Sequence, residues 1–247
     1  MTRYAAHLHL TGVGAEGQQR LRAAHVALIG VGGLGCAVAQ YLVASGIGQL
    51  TLCDFDTVAV NNLARQILYR PSDLGRLKTE AASEFLHALN PDTRLYSINR
   101  RMTDADMHTL FSGCDLVIDA SDNYGTRLAV NRVCLTLQKP WIMAACIRME
   151  GQIMLLRPDR PEQACYRCVY GTAPETLEDC PGAGIFAPVA GIIGVSAAYF
   201  ALAHLAGKPQ AAGLHLFDAT HWQWQTLGLQ KKTACKDCSE TNTRLTR

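Results

Sequence analysis

The stretch LIGVGGLGC, residues 28–36, decides the fold class of this chain. An apolar run, HVALIG (25–30), leads into it, and a segment of small apolar residues, LGCAVAQYLVASG (34–46), follows. This order predicts a buried strand, a tight glycine turn and a helix. Glycines let the backbone approach an anionic group closely, and the N–H groups at the helix start point at that group. The stretch therefore predicts a nucleotide site, which either NAD or ATP fits.

Strands and helices alternate along the next hundred residues. The strand patterns are 49–56, 93–99 and 114–121, and the helical patterns are 75–90, which ends before Pro91, and 123–138. Alternation of this kind predicts βαβ units and a mostly parallel sheet. Near-continuous apolar strands are typical of a sheet that is covered on both faces.

The second half of the chain has a different pattern of apolar and polar residues. Residues 141–158 resemble two strands, and 215–230 show the alternation of an antiparallel hairpin. We therefore expect an α/β, Rossmann-like fold whose mostly parallel sheet is extended by antiparallel strands, with helices on both faces. No composition break marks a linker, so we expect a single domain over residues 1–247.

The composition is typical of a globular protein. Hydrophobic residues make up 49%, the net charge is +2, and no dense Lys/Arg stripe occurs, which argues against a disordered chain and against a nucleic-acid partner. The N-terminus lacks the apolar region of a secretory signal, so we expect a cytoplasmic location. Residues 180–207 carry no Asp, Glu, Lys or Arg and are long enough to span a bilayer. Because they are rich in Ala and Gly and contain Pro188 and His204, we expect a buried core helix and no membrane span.

Polar residues after the predicted strands favour ATP over NAD. Asp54 follows the glycine loop by about 20 residues, a position from which a carboxylate binds ribose hydroxyls. Asn62, Arg65 and Lys78 come next, and a guanidinium fork with a mobile ammonium suits polyphosphate oxygens. Asp122 lies past the end of another parallel strand, where a carboxylate suits hydrated Mg²⁺. Any one of them alone is equally well explained as a helix cap or a solvated charge.

Together these residues resemble the ThiF/MoeB family of E1-like activating enzymes. The matching motifs are Gly30-x-Gly32-Gly33-Leu34-Gly35, Asp54-x-Asp56, Asn62-Leu63-x-Arg65-Gln66, Lys78 and Asp122-Asn123. The resemblance runs over nearly the whole chain. Residues 144–153, AACIRMEGQI, are closer to the molybdopterin branch of the family than to the thiamine branch.

The resemblance implies an adenylyltransferase. Such an enzyme uses ATP and Mg²⁺ to adenylate the C-terminal glycine carboxylate of a small ubiquitin-like sulfur-carrier protein that ends in Gly-Gly, before thiocarboxylate formation. The implied catalytic residues are Arg65, Lys78, Asp122 and Cys180. The implied nucleotide contacts are Gly32, Gly33, Asp54, Asp56, Asn62, Arg65, Lys78, Asp122 and Asn123. A homodimer is also implied, and a separate sulfur donor is expected because no rhodanese-like module follows residue 238.

One position departs from the family pattern. Relatives usually carry Arg-Tyr-x-Arg-Gln, whereas this chain has Arg3-Tyr4-Ala5-Ala6-His7. In relatives the second arginine reaches across a dimer to the ATP phosphates. Its replacement by Ala6 predicts slower or differently organised adenylation, in which Arg3 or His7 helps, or a specialised or partly inactive chain.

Two C-x-x-C pairs, CYRC (165–168) and CKDC (235–238), predict a structural zinc site. Their four thiolates, from Cys165, Cys168, Cys235 and Cys238, are the tetrahedral set that Zn²⁺ prefers, and a reducing compartment disfavours disulfides. Five lone cysteines are expected to be small buried hydrophobes: Cys36, Cys53, Cys114, Cys134 and Cys146.

Cys180 lies outside both pairs, near a predicted helix start that would lower the pKa of a thiol. In the thiamine branch the matching cysteine is associated with an acyl-persulfide intermediate. A buried, unreactive thiol is an equal alternative.

Three other functions stay open at this point. One is adenylation of a peptide or another carboxylate in natural-product or siderophore biosynthesis. Another is an NAD-dependent oxidoreductase, which only the glycine loop favours. The third is a non-catalytic carrier-binding protein, for which Ala6 is the hint. An ATP–pyrophosphate exchange assay with candidate carriers separates these functions from sulfur-carrier adenylation.

Overall fold

The computed structural model describes residues 3–171, 184–210 and 212–239. Within these ranges the chain forms one eight-stranded sheet with helices packed on it. The strands are β1 (His25–Ile29), β2 (Gln49–Cys53), β3 (Arg94–Ile98), β4 (Leu116–Asp119), β5 (Trp141–Ile147), β6 (Glu150–Leu156), β7 (Leu214–Asp218) and β8 (Gln223–Leu227). The helices are α1 (Ala5–Leu8), α2 (Gly14–Ala23), α3 (Gly33–Ala44), α4 (Lys78–Leu89), α5 (Asp104–Ser112), α6 (Tyr124–Leu137), α7 (Tyr166–Tyr170) and α8 (Ala187–Leu205).

The sheet has two halves of different topology. Its strand order is β3-β2-β1-β4-β5-β6-β7-β8. Strands β3 to β5 in this order pair in parallel, whereas β5, β6, β7 and β8 pair antiparallel. The predicted fold class is therefore confirmed. The chain leaves β1 toward β2 on one side and returns to β4 on the other, so the order reverses between β1 and β4.

Alternate residues of the central strands face two separate cores. In β1, Val26 and Leu28 pack with α3, α4 and α8, while Ala27 and Ile29 pack with α5 and α6. This period of two is the geometry of a strand whose two faces are both covered. The outer strands β3 and β8 differ from the expectation, since most of their residues are exposed. They lie at the sheet edges, where less of the molecule covers them.

Helix α8 corresponds to the long apolar segment of the sequence. By length and composition it could cross a membrane, and 39% of its most apolar window is buried in the protein. It packs closely on α3, because a Cβ at Gly194 would lie 2.6 Å from the carbonyl oxygen of Leu34. Val195 and Tyr199 on its other face are exposed. The expected core helix is thus buried on one face only.

Candidate nucleotide site and cysteine cluster

A cavity of about 290 Å³ opens at the carboxyl ends of β1, β2 and β4. We call it the nucleotide cavity. Its walls include the glycine loop after β1, residues 53–56 at the end of β2 and residues 120–123 after β4. It lies where the strand order reverses, which is where open α/β sheets bind their ligands. The topology therefore brings the predicted loops to one place.

The glycine loop has a conformation that other residues would not accept. Gly30 has a φ of +85°, and a Cβ on it would lie 2.9 Å from the carbonyl oxygen of Ala120. A Cβ on Gly35 would lie 2.0 Å from the carbonyl oxygen of Gly30. The backbone after β1 consequently turns tightly into α3, which begins at Gly33, and because Gly32, Gly33 and Leu34 line the cavity, the N-terminus of this helix lies beside it.

Asp54 holds this loop against the end of β2. Its Oδ2 accepts a hydrogen bond from the Val31 N–H at 2.8 Å, and its Oδ1 accepts one from the Asp56 N–H at 2.9 Å. The Tyr69 hydroxyl donates to the Val31 carbonyl oxygen at 2.8 Å. A carboxylate has about four acceptor positions, so Asp54 keeps capacity for a ligand's hydroxyl groups.

Two predicted cations, Lys78 and Arg65, line the same cavity. Lys78 is only 5% exposed, and its Nζ donates to Asp56 Oδ2 at 2.9 Å. It is the first residue of α4, where the helix dipole disfavours a cation, so helix stability does not explain it. Arg65 Nη1 donates to the Asn61 carbonyl oxygen at 2.9 Å, and no carboxylate pairs with Arg65 in the described part of the chain.

The three remaining polar predictions have different surroundings. Asp122 is exposed on the cavity rim and makes no hydrogen bond or ion pair with a described residue. Asn123 also lines the cavity, but its Oδ1 accepts the Thr126 N–H at 2.8 Å and caps α6. Asn62 is not among the lining residues, and its Oδ1 accepts the Ala59 N–H at 3.2 Å within its own turn. The cavity thus brings together Gly32, Gly33, Asp54, Asp56, Arg65, Lys78, Asp122 and Asn123.

Three more arginines, which the sequence did not predict, line the cavity. Arg100 is paired with Asp106 at 2.6 Å, Arg101 lies 4.6 Å from the centre of the Phe55 ring, and Arg127 Nη2 donates to the Ser121 carbonyl oxygen at 2.6 Å. The lining cations outnumber the three lining carboxylates: Arg65, Lys78, Arg100, Arg101 and Arg127 against Asp54, Asp56 and Asp122. A net positive cavity suits a polyphosphate. Of these three arginines, only Arg127 could have been predicted from the sequence to lie near the cavity, because it follows Asp122 by five residues.

One lone cysteine does not follow the prediction. Cys36, Cys53, Cys114 and Cys134 are buried as expected, but Cys146 is only partly buried and lines the nucleotide cavity. Desolvation by burial raises the pKa of the Cys146 thiol to about 12, although nearby Arg127 and Arg65 oppose the shift. The thiol is therefore neutral near pH 7 and is a poor nucleophile there.

The four cysteines of the two C-x-x-C pairs form a compact cluster at the start of α7 and in the segment after β8. Their Sγ atoms all lie within 4.8 Å of one another, and neighbouring sulfurs are 3.5 to 3.8 Å apart. In a tetrahedral zinc–thiolate site with bonds of about 2.3 Å, sulfurs lie about 3.8 Å apart. The donor set therefore fits Zn²⁺ in type and spacing. Cys180 lies outside the described residues.

Hydrogen bonds tie the cysteine cluster to α6. Arg167 Nη1 pairs with Asp237 Oδ1 at 2.6 Å, and Asn131 Nδ2 donates to Asp237 Oδ2 at 2.8 Å. Asn131 Oδ1 in turn accepts the Tyr166 N–H at 3.0 Å. Since Asn131 is fully buried, this network joins the two C-x-x-C segments to the core.

The family model described as the ThiF family matches residues 4–238. The chain belongs to the ThiF family. This ThiF-family chain is 39% identical over 242 residues to the molybdopterin-synthase adenylyltransferase of Salmonella typhimurium, and the match covers 97% of each chain. It is 37% identical over 241 residues to the sulfur carrier protein ThiS adenylyltransferase of Escherichia coli, covering 97% of this chain and 96% of the relative. The predicted family and the predicted enzyme class, an adenylyltransferase, are confirmed.

A solved structure shares the fold of this ThiF-family chain. The crystal structure of E. coli MccB with ATP superposes with a TM-score of 0.85 at 24% identity. The match covers 96% of this chain and 74% of MccB. At this level of identity the likeness concerns the fold, and it agrees with the mixed sheet described above.

Proposed function

We propose that this chain adenylates the C-terminal glycine carboxylate of a small ubiquitin-like sulfur-carrier protein, with ATP as the nucleotide. The observation that carries the proposal is that Arg65, Lys78 and Asp122 line one cavity with the glycine loop, at the reversal of strand order. Relatives named for molybdopterin synthase and for ThiS, similar over nearly their full lengths, support a sulfur carrier as the substrate.

The proposed reaction needs no nucleophile from the protein. A carboxylate oxygen of the carrier attacks the α-phosphorus of ATP and forms the acyl-phosphate bond. The bond from the α-phosphorus to the bridging oxygen breaks, and pyrophosphate leaves with the electron pair. The carboxylate is already ionised near neutral pH, so no general base is required. What remains for the protein is positioning and stabilisation of charge on the phosphoryl oxygens.

Arg65 and Lys78 differ in how they can supply that charge. Arg65 has no carboxylate partner among described residues, so its guanidinium fork is available to two phosphate oxygens at once. Lys78 is buried and held by Asp56, so its ammonium stays in place before the nucleotide binds. A preorganised charge in a partly desolvated site contributes more than a solvated surface charge.

Metal ions enter the proposal at two separate places. Asp122 offers an uncommitted carboxylate on the cavity rim, and with bound ATP it would hold hydrated Mg²⁺, which neutralises phosphate charge. The four cysteines would hold Zn²⁺. A closed set of four thiolates leaves no position for water or substrate, so the role of Zn²⁺ is structural.

An ATP–pyrophosphate exchange assay with candidate carriers tests the proposed function. We expect exchange that requires a carrier ending in Gly-Gly and that is lost when its terminal glycine is deleted or amidated. Exchange with unrelated peptides alone would support the peptide-carboxylate alternative. Tight carrier binding without exchange would indicate a scaffold, and nicotinamide-dependent turnover would contradict adenylation.

We also propose that a second copy of the chain covers the exposed face of α8, and that a separate protein donates sulfur. Val195 and Tyr199 are 36% and 65% exposed on a helix without charged residues, an arrangement typical of a buried interface. Tyr199→Glu should therefore convert a dimer to a monomer in sedimentation velocity. Tyr96→Glu, at an exposed tyrosine on edge strand β3, is the control. A wild-type monomer at micromolar concentration would contradict this proposal.

A further inference from the structure

A larger cavity than the nucleotide cavity lies beside the cysteine cluster. Its volume is about 470 Å³, within the range of small-molecule pockets, which is about 300 to 1,000 Å³. Residues at the start of α6 line the nucleotide cavity, whereas residues between 131 and 138, toward the end of α6, line this larger cavity. We call it the basic cavity. Neither the glycine loop nor any predicted nucleotide contact lines it.

Cations from separate segments of the chain converge on the basic cavity: Arg132, Arg157, Arg160, Lys231 and Lys236. They come from α6, from the segment after β6 and from the segment after β8. The one lining carboxylate belongs to Asp237, whose side chain is 5% exposed and paired with Arg167. Cys165 and Cys238 also line the cavity, and a zinc–thiolate cluster would carry two net negative charges, so the five cations still outnumber the negative charges.

Three of these cations have no carboxylate partner. Arg132 is paired with Asp104 at 3.0 Å, and Arg157 is paired with Asp159. Arg160, Lys231 and Lys236 form no ion pair within the described ranges of the chain. Clustered like charges repel one another, so their placement around one cavity favours binding of an anion.

The same cavity also has apolar walls. Leu137 and Pro158 are partly exposed and Pro161 is exposed along its wall, and Leu135, Leu156 and Trp141 lie buried behind them. An inorganic anion would leave these side chains unused, whereas an organic molecule would bury apolar surface on them. The ligand that matches both features is an organic anion.

We propose that the basic cavity binds a small phosphorylated organic molecule. Its phosphate contacts Arg160, Lys231 and Lys236, and its apolar or aromatic body packs on Leu137, Pro158 and Pro161. Guanidinium and ammonium groups are the side chains best suited to phosphate oxygens. The opposing explanation is that the cations only balance the negative charge of a zinc–thiolate cluster. This site does not depend on the function proposed for the nucleotide cavity.

Pyridoxal 5′-phosphate tests the site, because its aldehyde forms an imine with a lysine near the bound phosphate, with loss of water. Borohydride reduces the imine to a stable amine that peptide mass spectrometry can map. The full-length, zinc-loaded protein is labelled without added nucleotide, because ATP is itself an organic phosphate and would compete for the basic cavity; any labelling of Lys78 is mapped to its own peptide. We expect Lys231 and Lys236 to be labelled about tenfold more than Lys232, an exposed neighbour outside the cavity lining. Equal labelling of the three lysines would overturn the proposal.

Two further arms make the result specific. Arg160→Ala should lower labelling of Lys231 and Lys236 about tenfold without changing pyrophosphate exchange, whereas Arg22→Ala, at an exposed arginine on α2, should change neither. Phenyl phosphate should protect the two lysines at concentrations at least about fivefold lower than inorganic phosphate. Equal labelling of the two lysines in Arg160→Ala and in the wild type would overturn the phosphate site and mean that the cations balance the charge of the thiolate cluster. Equal protection by phenyl phosphate and inorganic phosphate would contradict the proposal that the ligand is organic.

Discussion

The nucleotide cavity and the cysteine cluster lie toward opposite ends of α6, and they differ in how fully their polar groups are satisfied. In the cavity, Arg65 and Asp122 have no ion-pair partner among the described residues. In the cluster, the four sulfurs lie together and Asp237 is held by both Arg167 and Asn131. Uncommitted charges mark a place that a ligand completes, and satisfied groups mark a place that holds the fold. Substitutions in the two regions should therefore affect activity and stability separately.

The largest expected effect is on stability, in the cluster. Cys165→Ser should release zinc and destabilise the protein by several kcal/mol, since structural zinc contributes about 10 kcal/mol or more in small domains. Zinc content and thermal unfolding measure the change. Cys134→Ser, at a buried cysteine outside the cluster, should keep its zinc. Unchanged zinc content in Cys165→Ser would contradict the four-thiolate site.

The next effect is on activity, in the cavity. Arg65→Ala should lower pyrophosphate exchange about 10²- to 10³-fold, the usual loss when one donor to transition-state charge is removed. Its unfolding temperature should stay close to that of the wild type, because the one side-chain hydrogen bond of Arg65 to a described residue goes to an exposed backbone carbonyl. Arg22→Ala is the matched control. An exchange rate equal to wild type in Arg65→Ala would remove this residue from the phosphate site.

Substitution of Asp54 should affect both stability and nucleotide binding. Asp54→Ala removes the acceptors of two backbone N–H groups, at Val31 and Asp56, and should cost about 1 to 3 kcal/mol of stability. It should also weaken ATP binding, because the glycine loop loses its anchor. Calorimetry gives both quantities. Asp54→Asn, which keeps one acceptor oxygen, should recover part of the stability. Loss of ATP affinity with unchanged stability would mean that Asp54 contacts only the nucleotide.

The smallest effect is a gain. Ala6 is exposed on α1, and its side chain contributes nothing to the core. If a homodimer brings this helix to the partner's cavity, Ala6→Arg should raise pyrophosphate exchange about tenfold by adding one cation to the phosphates. Ala6→Gln tests whether charge is needed. No increase in a confirmed dimer would show that the chain organises adenylation without this arginine.

Much of the site was predictable because its signals are local. The glycine spacing, Asp54 after an apolar strand, and the two C-x-x-C pairs each depend on a few neighbouring residues. Asn62 stays a prediction for the opposite reason. The family resemblance implies that Asn62 contacts the nucleotide, whereas in the structure its side chain accepts a hydrogen bond within its own turn. Whether a side chain points into a cavity depends on backbone geometry that periodicity does not report.

The sequence by itself determined the family, the mixed α/β sheet and the cysteine set, since patterns of period two, helical periods and fixed spacings are written in contiguous residues. Tertiary structure alone decided the composition of the cavities. Arg100 and Arg127 meet the glycine loop only because β1 lies between β2 and β4. The basic cavity likewise unites Arg160 with Lys236, 76 residues apart. Charges brought together from distant segments leave no pattern along the chain.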